Sequence, residues 1–374
     1  MLNKLLNRYK NFLHIFQEIN NLKKKKPKFI FYSEHKSYLK YGYLIIKYLS
    51  KKYPGEVYYI SSDINDSVSD LNVVNIYIGK GFLLQYFFKI VAADNLFMTL
   101  TDLNNSIIKK NEYVKNYIYF FHGAVSTTRI YTSTAFDNYD TILCNGEYQI
   151  KEIKQREKLD NLKEKKLIKS GFFYFDYLKA KIGKIEINNE ILVAPSWNKN
   201  RLNFINEDFE DIITNLLNSG FKVRFRPHPE TIKRSQNLMN SYKEKFKNKN
   251  FLFDDKSENF EAMQNAKCLI TDNSGISIEY MMLFKKPVIF YSDFDKIHNE
   301  NFDKFKSLIP IEDIIKDKFG YEFNKHQIQE IEKIIEKAAK NFDKKEIDNF
   351  LQNNFYNYQN TIDFFDKNFS KICV

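Results

Sequence analysis

The chain has 374 residues, of which 43% are hydrophobic and 16% aromatic, enough for packed cores, and this excludes a disordered chain. A single core rarely grows past roughly 250–300 residues, so two domains are expected. Three scattered cysteines without CxxC or Cys/His spacing exclude a disulfide framework or structural zinc, and the formal charge of +11 fits either surplus surface lysine or a surface for phosphorylated substrates and anionic lipids.

In chain order, Leu2, Leu5, Leu6, Tyr9, Leu13, Phe16 and Leu22 share one face of a helical period, and Lys23–Lys26 and Pro27 end it. Two readings stay open: a helix lying on an anionic membrane surface, or one docking its stripe on the domain. Lys4, Arg8, Lys10 and Glu18 make the start too polar for a secretory signal, and no stretch reaches the ~20 apolar residues of a spanning helix. A cytoplasmic protein is therefore expected, soluble or peripheral on the cytoplasmic face of the inner membrane.

Short apolar runs follow at Lys28–Ser33, Val57–Ser61, Val74–Gly79, Asn95–Leu100, Tyr117–Phe121 and Thr141–Cys144. They lack polar alternation, as strands of a parallel sheet covered on both faces do, and stretches such as Lys36–Lys52 and Phe82–Ala92 suit crossover helices. After the lysine-rich Lys179–Glu190, a second series predicts strands at Ile191–Pro195, Lys222–Arg226, Phe251–Phe253, Cys268–Thr271 and Pro287–Tyr291. Helices are expected at Asp208–Ser219, Thr231–Phe246, Asn259–Ala266 and Ile276–Phe284, with a charged helical tail at Lys325–Asn341 and Glu346–Asp366. The expected fold class is α/β, with two Rossmann-like domains facing a cleft and helical extensions at both ends. The expected division is 1–27 (basic amphipathic helix), 28–185 (acceptor-side domain), 186–324 (nucleotide-donor domain) and 325–374 (C-terminal helices).

Four predicted strand ends carry unusual residues: Phe121-His122-Gly123-Ala124, Ala194-Pro195-Ser196-Trp197, Arg226-Pro227-His228-Pro229 and Thr271-Asp272-Asn273-Ser274-Gly275. Asp272, Asn273 and Ser274 are good N-caps, and Gly275 lets amides approach a ligand, so this turn is a candidate phosphate site. Glu279, about one turn further, is placed to accept from ribose hydroxyls; an ordinary capped helix with an exposed Glu is the plainer account. Prolines around His228 fix its direction, so Arg226 and His228 are candidates to neutralise a diphosphate, or else form a rigid surface turn. His122 is a candidate general base, or a structural histidine satisfied by a carbonyl. Ser126, Thr127, Thr128 and Arg129, after Gly123, are candidates to meet an acceptor or phosphate, and equally suit a polar loop. Asp293-Phe294-Asp295 resembles a DxD metal motif without companion ligands, so a divalent metal is not indicated. There is no GxGxxG, GKS/T loop, GxSxG elbow or nucleic-acid signature, and neither a cofactor nor a nucleic-acid partner is expected.

Taken in order from about Tyr117 to about Asp295, these segments resemble the CDP-glycerol:poly(glycerophosphate) glycerophosphotransferase family, the TagF-like enzymes of teichoic-acid and capsule synthesis. The resemblance rests on His122-Gly123, Asp140–Asn145, Gly171…Asp176, Ala194-Pro195-Ser196-Trp197, Arg226-Pro227-His228-Pro229, Thr271-Asp272-Asn273-Ser274 and Lys286-Pro287-Val288-Ile289-Phe290-Tyr291. It implies a GT-B-like fold, a CDP-linked donor held by the C-terminal domain, and essential histidines at His122, as base, and His228. Arg226, Ser196, Asp272, Asn273, Ser274, Gly275 and Glu279 are then expected on the donor side, with Gly123, Ser126, Thr127 and Arg129 on the acceptor side. The implied partners are the nucleotide-linked donor, a surface glycan or lipid-linked acceptor, and an anionic membrane surface. The Ser-Gly turn followed by Glu279 is also similar to that of ordinary GT-B glycosyltransferases, so a nucleotide-sugar donor is the alternative expectation. A non-catalytic membrane-associated binding protein of the same fold is the third.

Overall fold

The computed structural model describes residues 2–105, 107–183, 188–197, 204–205, 207–256, 258–293 and 297–374. The expected division between residues 185 and 186 lies outside the described residues, as do Asp295 and the side chains of Leu2 and Leu5. The chain forms two compact units: Met1–His122, Tyr131–Tyr177 and Phe355–Val374 make the first, and Gly123–Ile130 with Leu178–Asn354 the second.

The first unit holds a parallel sheet of β1 (Phe29–Ser33), β2 (Val57–Ser61), β3 (Val74–Tyr77), β4 (Ala93–Met98), β5 (Val114–Phe120), β6 (Thr141–Cys144) and β7 (Lys166–Lys169). Their order is β3-β2-β1-β4-β5-β6-β7. The second unit holds β8 (Glu190–Val193), β9 (Lys222–Phe225), β10 (Phe251–Phe253), β11 (Cys268–Thr271), β12 (Val288–Tyr291) and β13 (Tyr321–Phe323), also parallel, in the order β10-β9-β8-β11-β12-β13. β1, β2, β6, β11 and β12 are buried along their whole length, as uninterrupted apolar runs require. β7 and β13 are edge strands that the apolar runs did not announce: Lys166 and Lys169 are exposed, and β13 has three residues. In each sheet the order reverses beside its first strand, between β1 and β4 and between β8 and β11, and such switch points are where open α/β sheets receive ligands.

The helix Leu2–Lys25 docks by its C-terminal half. Ile15, Ile19 and Leu22 are buried, Phe16 stacks on Tyr86 at 4.6 Å, and the Tyr86 hydroxyl donates to Asn20 Oδ1 at 2.9 Å. At the other end of the chain, 355–374 packs on the first sheet. Asn95 Nδ2 donates to the Val374 carbonyl (3.0 Å) and Asn116 Nδ2 to that of Ile372 (2.8 Å). Asp176 fastens the same segment by accepting from the amides of Gln359 (2.8 Å) and Thr361 (2.9 Å) and from the Thr361 hydroxyl (2.6 Å). Gly171 sits at φ +82°, and a Cβ there would lie 1.9 Å from the Tyr356 carbonyl oxygen. The Gly171…Asp176 pair therefore closes the C-terminal segment on its unit.

Gly220 shares this left-handed backbone (φ +79°) with nothing within 4 Å of its Cβ position. Gly220→Ala should cost about 1–2 kcal/mol from backbone strain alone. Gly171→Ala should lose roughly 1–3 kcal/mol more, because backbone must also move. Urea unfolding of both variants measures this, and equal losses would contradict the packing described.

Candidate functional site

In the first unit, His122 follows the end of β5, half-buried. The rings of Tyr38, Tyr131 and Tyr41 surround it edge-on at 5.4, 5.9 and 6.1 Å. Burial pushes its pKa down to about 4, against a smaller opposing effect of a hydrogen bond with the Thr99 backbone, so the imidazole is neutral at pH 7. Its Nδ1 is buried and has no hydrogen-bond partner. The Thr99 bond is one a structural histidine makes, and the bare Nδ1 is what a base requires, so the ring suits both expectations. A neutral imidazole can take a proton without first losing one. Gly123, next in the chain, would put a Cβ in ordinary contact with Val125 (3.5 Å), so space does not demand glycine there.

In the second unit, the β8 and β11 ends meet through one carboxylate. Asp272 Oδ1 accepts from the Ser196 amide and Oδ2 from the Ser196 hydroxyl, both at 2.8 Å, and both residues are buried. Ser196 and Asp272 hold each other, and so link the two loops. Asn273 is buried beside them. Ser274 is extended (φ −105°, ψ 140°) and its amide donates to the Asp272 carbonyl at 2.7 Å. The helix Gly275–Glu279 starts there and passes into a π turn, Tyr280–Phe284. A Cβ on Gly275 would approach Val125 Cγ1 to 3.3 Å, so the loop 123–130 lies against this turn. Glu279 is buried and accepts from Asn259 Nδ2 at 3.4 Å, so it is not the exposed carboxylate of an ordinary capped helix.

The residues after β9 divide by role. Arg226 donates to Asp254 (3.0 Å) and to the Lys256 carbonyl (2.8 Å), and so braces the loop after β10. His228 is exposed and caps the helix Pro229–Arg234, with Nδ1 accepting from the Glu230 amide at 3.2 Å. In the neutral ring that acceptor role puts the proton on Nε2.

Ser126, Thr127, Thr128 and Arg129 are buried in the second unit. The Ser126 amide donates to both oxygens of Glu312 at 3.1 Å, and the Ser126 and Thr128 hydroxyls bond at 2.9 Å. Arg129 is ion-paired with Asp313, and its carbonyl accepts the amides of His298 (2.9 Å) and Asn299 (3.2 Å). Sequence reasoning missed Glu312, Asp313 and His298. The two acids open the helix Ile311–Phe319, where carboxylates are ordinary, and no glycine or proline adjoins His298. Asp293 accepts from the Tyr291 hydroxyl (3.0 Å) and the Lys325 amide (2.8 Å). Among the described residues no group of three or more His, Cys, Asp or Glu is arranged to hold a metal, and no helix is long and apolar enough to cross a membrane.

Two parallel α/β units with chemistry-bearing residues at their strand ends define a GT-B-like fold. Residues 7–361 match the CDP-Glycerol:Poly(glycerophosphate) glycerophosphotransferase family, and the chain belongs to that family of transferases. Similar solved structures include the wall teichoic acid polymerase TagF, at 15% identity and TM-score 0.59 over 99% of this chain and 97% of that one. A histidine-to-asparagine variant of TagF soaked with CDPG gives 14% identity and TM-score 0.60 over the same shares. UDP-GlcNAc 2-epimerase from Methanocaldococcus jannaschii, in complex with UDP-GlcNAc and UDP, gives 13% and 0.57 over 92% of this chain and 99% of that one. No curated protein matches the sequence.

Asp272→Ala strips two hydrogen bonds from a buried serine, and should destabilise the protein by about 1–3 kcal/mol. Asp272→Asn, which keeps one acceptor oxygen, should lose less. Denaturant unfolding decides, and an unchanged midpoint in the alanine variant would show that the clamp carries no stability.

Proposed function

We propose that the protein transfers glycerol phosphate, or a related polyol phosphate, from a CDP-linked donor to a hydroxyl of a teichoic-acid-like or other surface polymer. The observation that carries this reading is His122, a neutral imidazole with a bare, buried Nδ1 in a chain of this family. His122 takes the proton of the acceptor hydroxyl as that oxygen attacks the donor's β-phosphorus. One P–O bond forms, the P–O bond to the α-phosphate breaks, and CMP leaves with the electron pair. His228 and the Gly275 amide neutralise charge on the diphosphate, while Arg226, Asp272 and Ser196 keep those donors in place. Asn273 and Glu279 complete the donor side, with the carboxylate directed to the ribose hydroxyls.

CMP release from CDP-glycerol in the presence of polymer acceptor tests the reading. His122→Ala and His228→Ala should each lose on the order of 10²–10⁴ in rate. Near-normal turnover in both would overturn the assignment. The pH profile adds a second check. Because burial depresses the His122 pKa to about 4, the base stays competent as pH falls, and kcat/KM should drop on the acid side through about 4 instead of near 6.5. The stability linkage has the same sign: the neutral ring is favoured in the fold, so its contribution is present above the unfolded pKa near 6.5 and is lost as pH falls toward 4.

We also infer that the protein works at an anionic membrane surface through the free half of its first helix. Leu6, Tyr9, Phe12 and Leu13 are exposed there with Phe82 beside them, and Arg8 and Lys10 are exposed on the same helix. Apolar side chains entering the headgroup layer and basic ones meeting anionic lipid reinforce each other. Leu6→Gln with Leu13→Gln should weaken binding to phosphatidylglycerol vesicles roughly tenfold, because each leucine loses burial of about 1.5–3 kcal/mol at most. Unchanged cosedimentation of the double variant would contradict the anchor.

A further inference from the structure

Trp197, the single tryptophan of the chain, lies just past β8 and is bordered by three side chains of its own unit. The His228 ring lies 6.4 Å from it at 30°, the His298 ring 5.8 Å away at 75°, and the Arg234 guanidinium 5.4 Å over the indole. Two imidazoles thus share one indole, and one of them is the exposed His228.

His298 is mounted with unusual firmness for a residue in a connecting segment. Its amide donates to the Arg129 carbonyl, the Asn299 amide donates to the same oxygen, and Asn299 Nδ2 donates to the Thr128 carbonyl at 2.7 Å. Asn299 is buried, and the loop that supplies these carbonyls is held in turn by Glu312 and Asp313. A buried polar network that fixes the backbone carrying His298, whose ring Nε2 is itself buried, removes freedom that a bound anion would otherwise have to freeze. It also gives Ser126–Arg129 a purpose: those residues are the seat of His298.

We propose that His298 is a second imidazole contact to the donor's diphosphate, and that Trp197 is the wall that keeps His228 and His298 on the same anion. The inference rests on the donor reading above and adds to it the residues that grip the phosphates. Arg234, whose guanidinium also donates to Glu230 at 3.0 Å, covers the indole and adds positive charge at the site. A ring nitrogen donating to a phosphate oxygen makes a charge-assisted bond, the stronger class of hydrogen bond.

The test uses the full chain and its own reporter, since all tryptophan emission comes from Trp197. Emission is titrated with inorganic pyrophosphate and with CDP, and the KM for CDP-glycerol is measured in parallel. His298→Ala and His298→Gln should each raise the half-saturating pyrophosphate and CDP concentrations about ten- to hundredfold, as loss of a hydrogen bond to a charged group does. They should raise KM more than they lower kcat. Half-saturation and KM like those of wild type in either folded variant, while wild type turns over CDP-glycerol, would overturn the inference alone. So would wild-type emission that ignores both anions during normal turnover. A wild type that neither binds CDP nor turns over CDP-glycerol would overturn the donor reading instead, and this inference with it.

Discussion

A single carboxylate organises the second unit. Asp272 stands past β11, on one side of the place where the strand order reverses, and Ser196 stands past β8 on the other. By taking the Ser196 amide and hydroxyl at once, Asp272 joins two loops just past the point where the Thr271 hydroxyl donates to the Ala194 carbonyl at 2.6 Å. Trp197 follows directly from one side of this clamp, and the Ser274–Gly275 turn from the other. Removing a partner would leave a buried polar group unsatisfied, so the geometry of these loops and the stability of the unit depend on the same bond. Ser196, Asp272 and Arg226 thus join the loops that carry His228 and the Ser274–Gly275 turn to the rest of the unit.

The loop 123–130 works in the same way. It follows His122 by one peptide bond, yet it belongs to the second unit, with Glu312 and Asp313 meeting its polar groups and Val125 beside Gly275. A buried arginine paired with an aspartate adds little net stability, because desolvation offsets the attraction. Its carbonyl, however, receives two amides from the segment carrying His298. Specific placement of an imidazole is a sufficient reason to bury such a network.

The α/β class and the GT-B-like fold were legible because uninterrupted apolar runs of four to six residues leave few alternatives to a covered parallel sheet. The edge strands β7 and β13 were not, since Lys166–Lys169 and Tyr321–Phe323 lack a run of buried apolar residues, whereas the edges β3 and β10 were. The predicted helix Thr231–Phe246 is two, Pro229–Arg234 and Gln236–Lys245, meeting at Ser235. At the candidate site, His122 and His228 stood out because glycine and proline flank them. Their surroundings did not: the tyrosine rings around His122, the Arg226–Asp254 pair and the Ser196–Asp272 clamp join residues far apart in sequence. Which polar residue faces a ligand and which faces another residue is a tertiary property, and composition at a strand end does not encode it.

The central claim is that the second unit takes a cytidine diphosphate-linked donor. Thermal-shift measurements on the purified chain with CDP, CMP, UDP and GDP address it most directly. The account predicts the largest rise in Tm with CDP and a smaller one with CMP. A rise with UDP or GDP and none with CDP would contradict it.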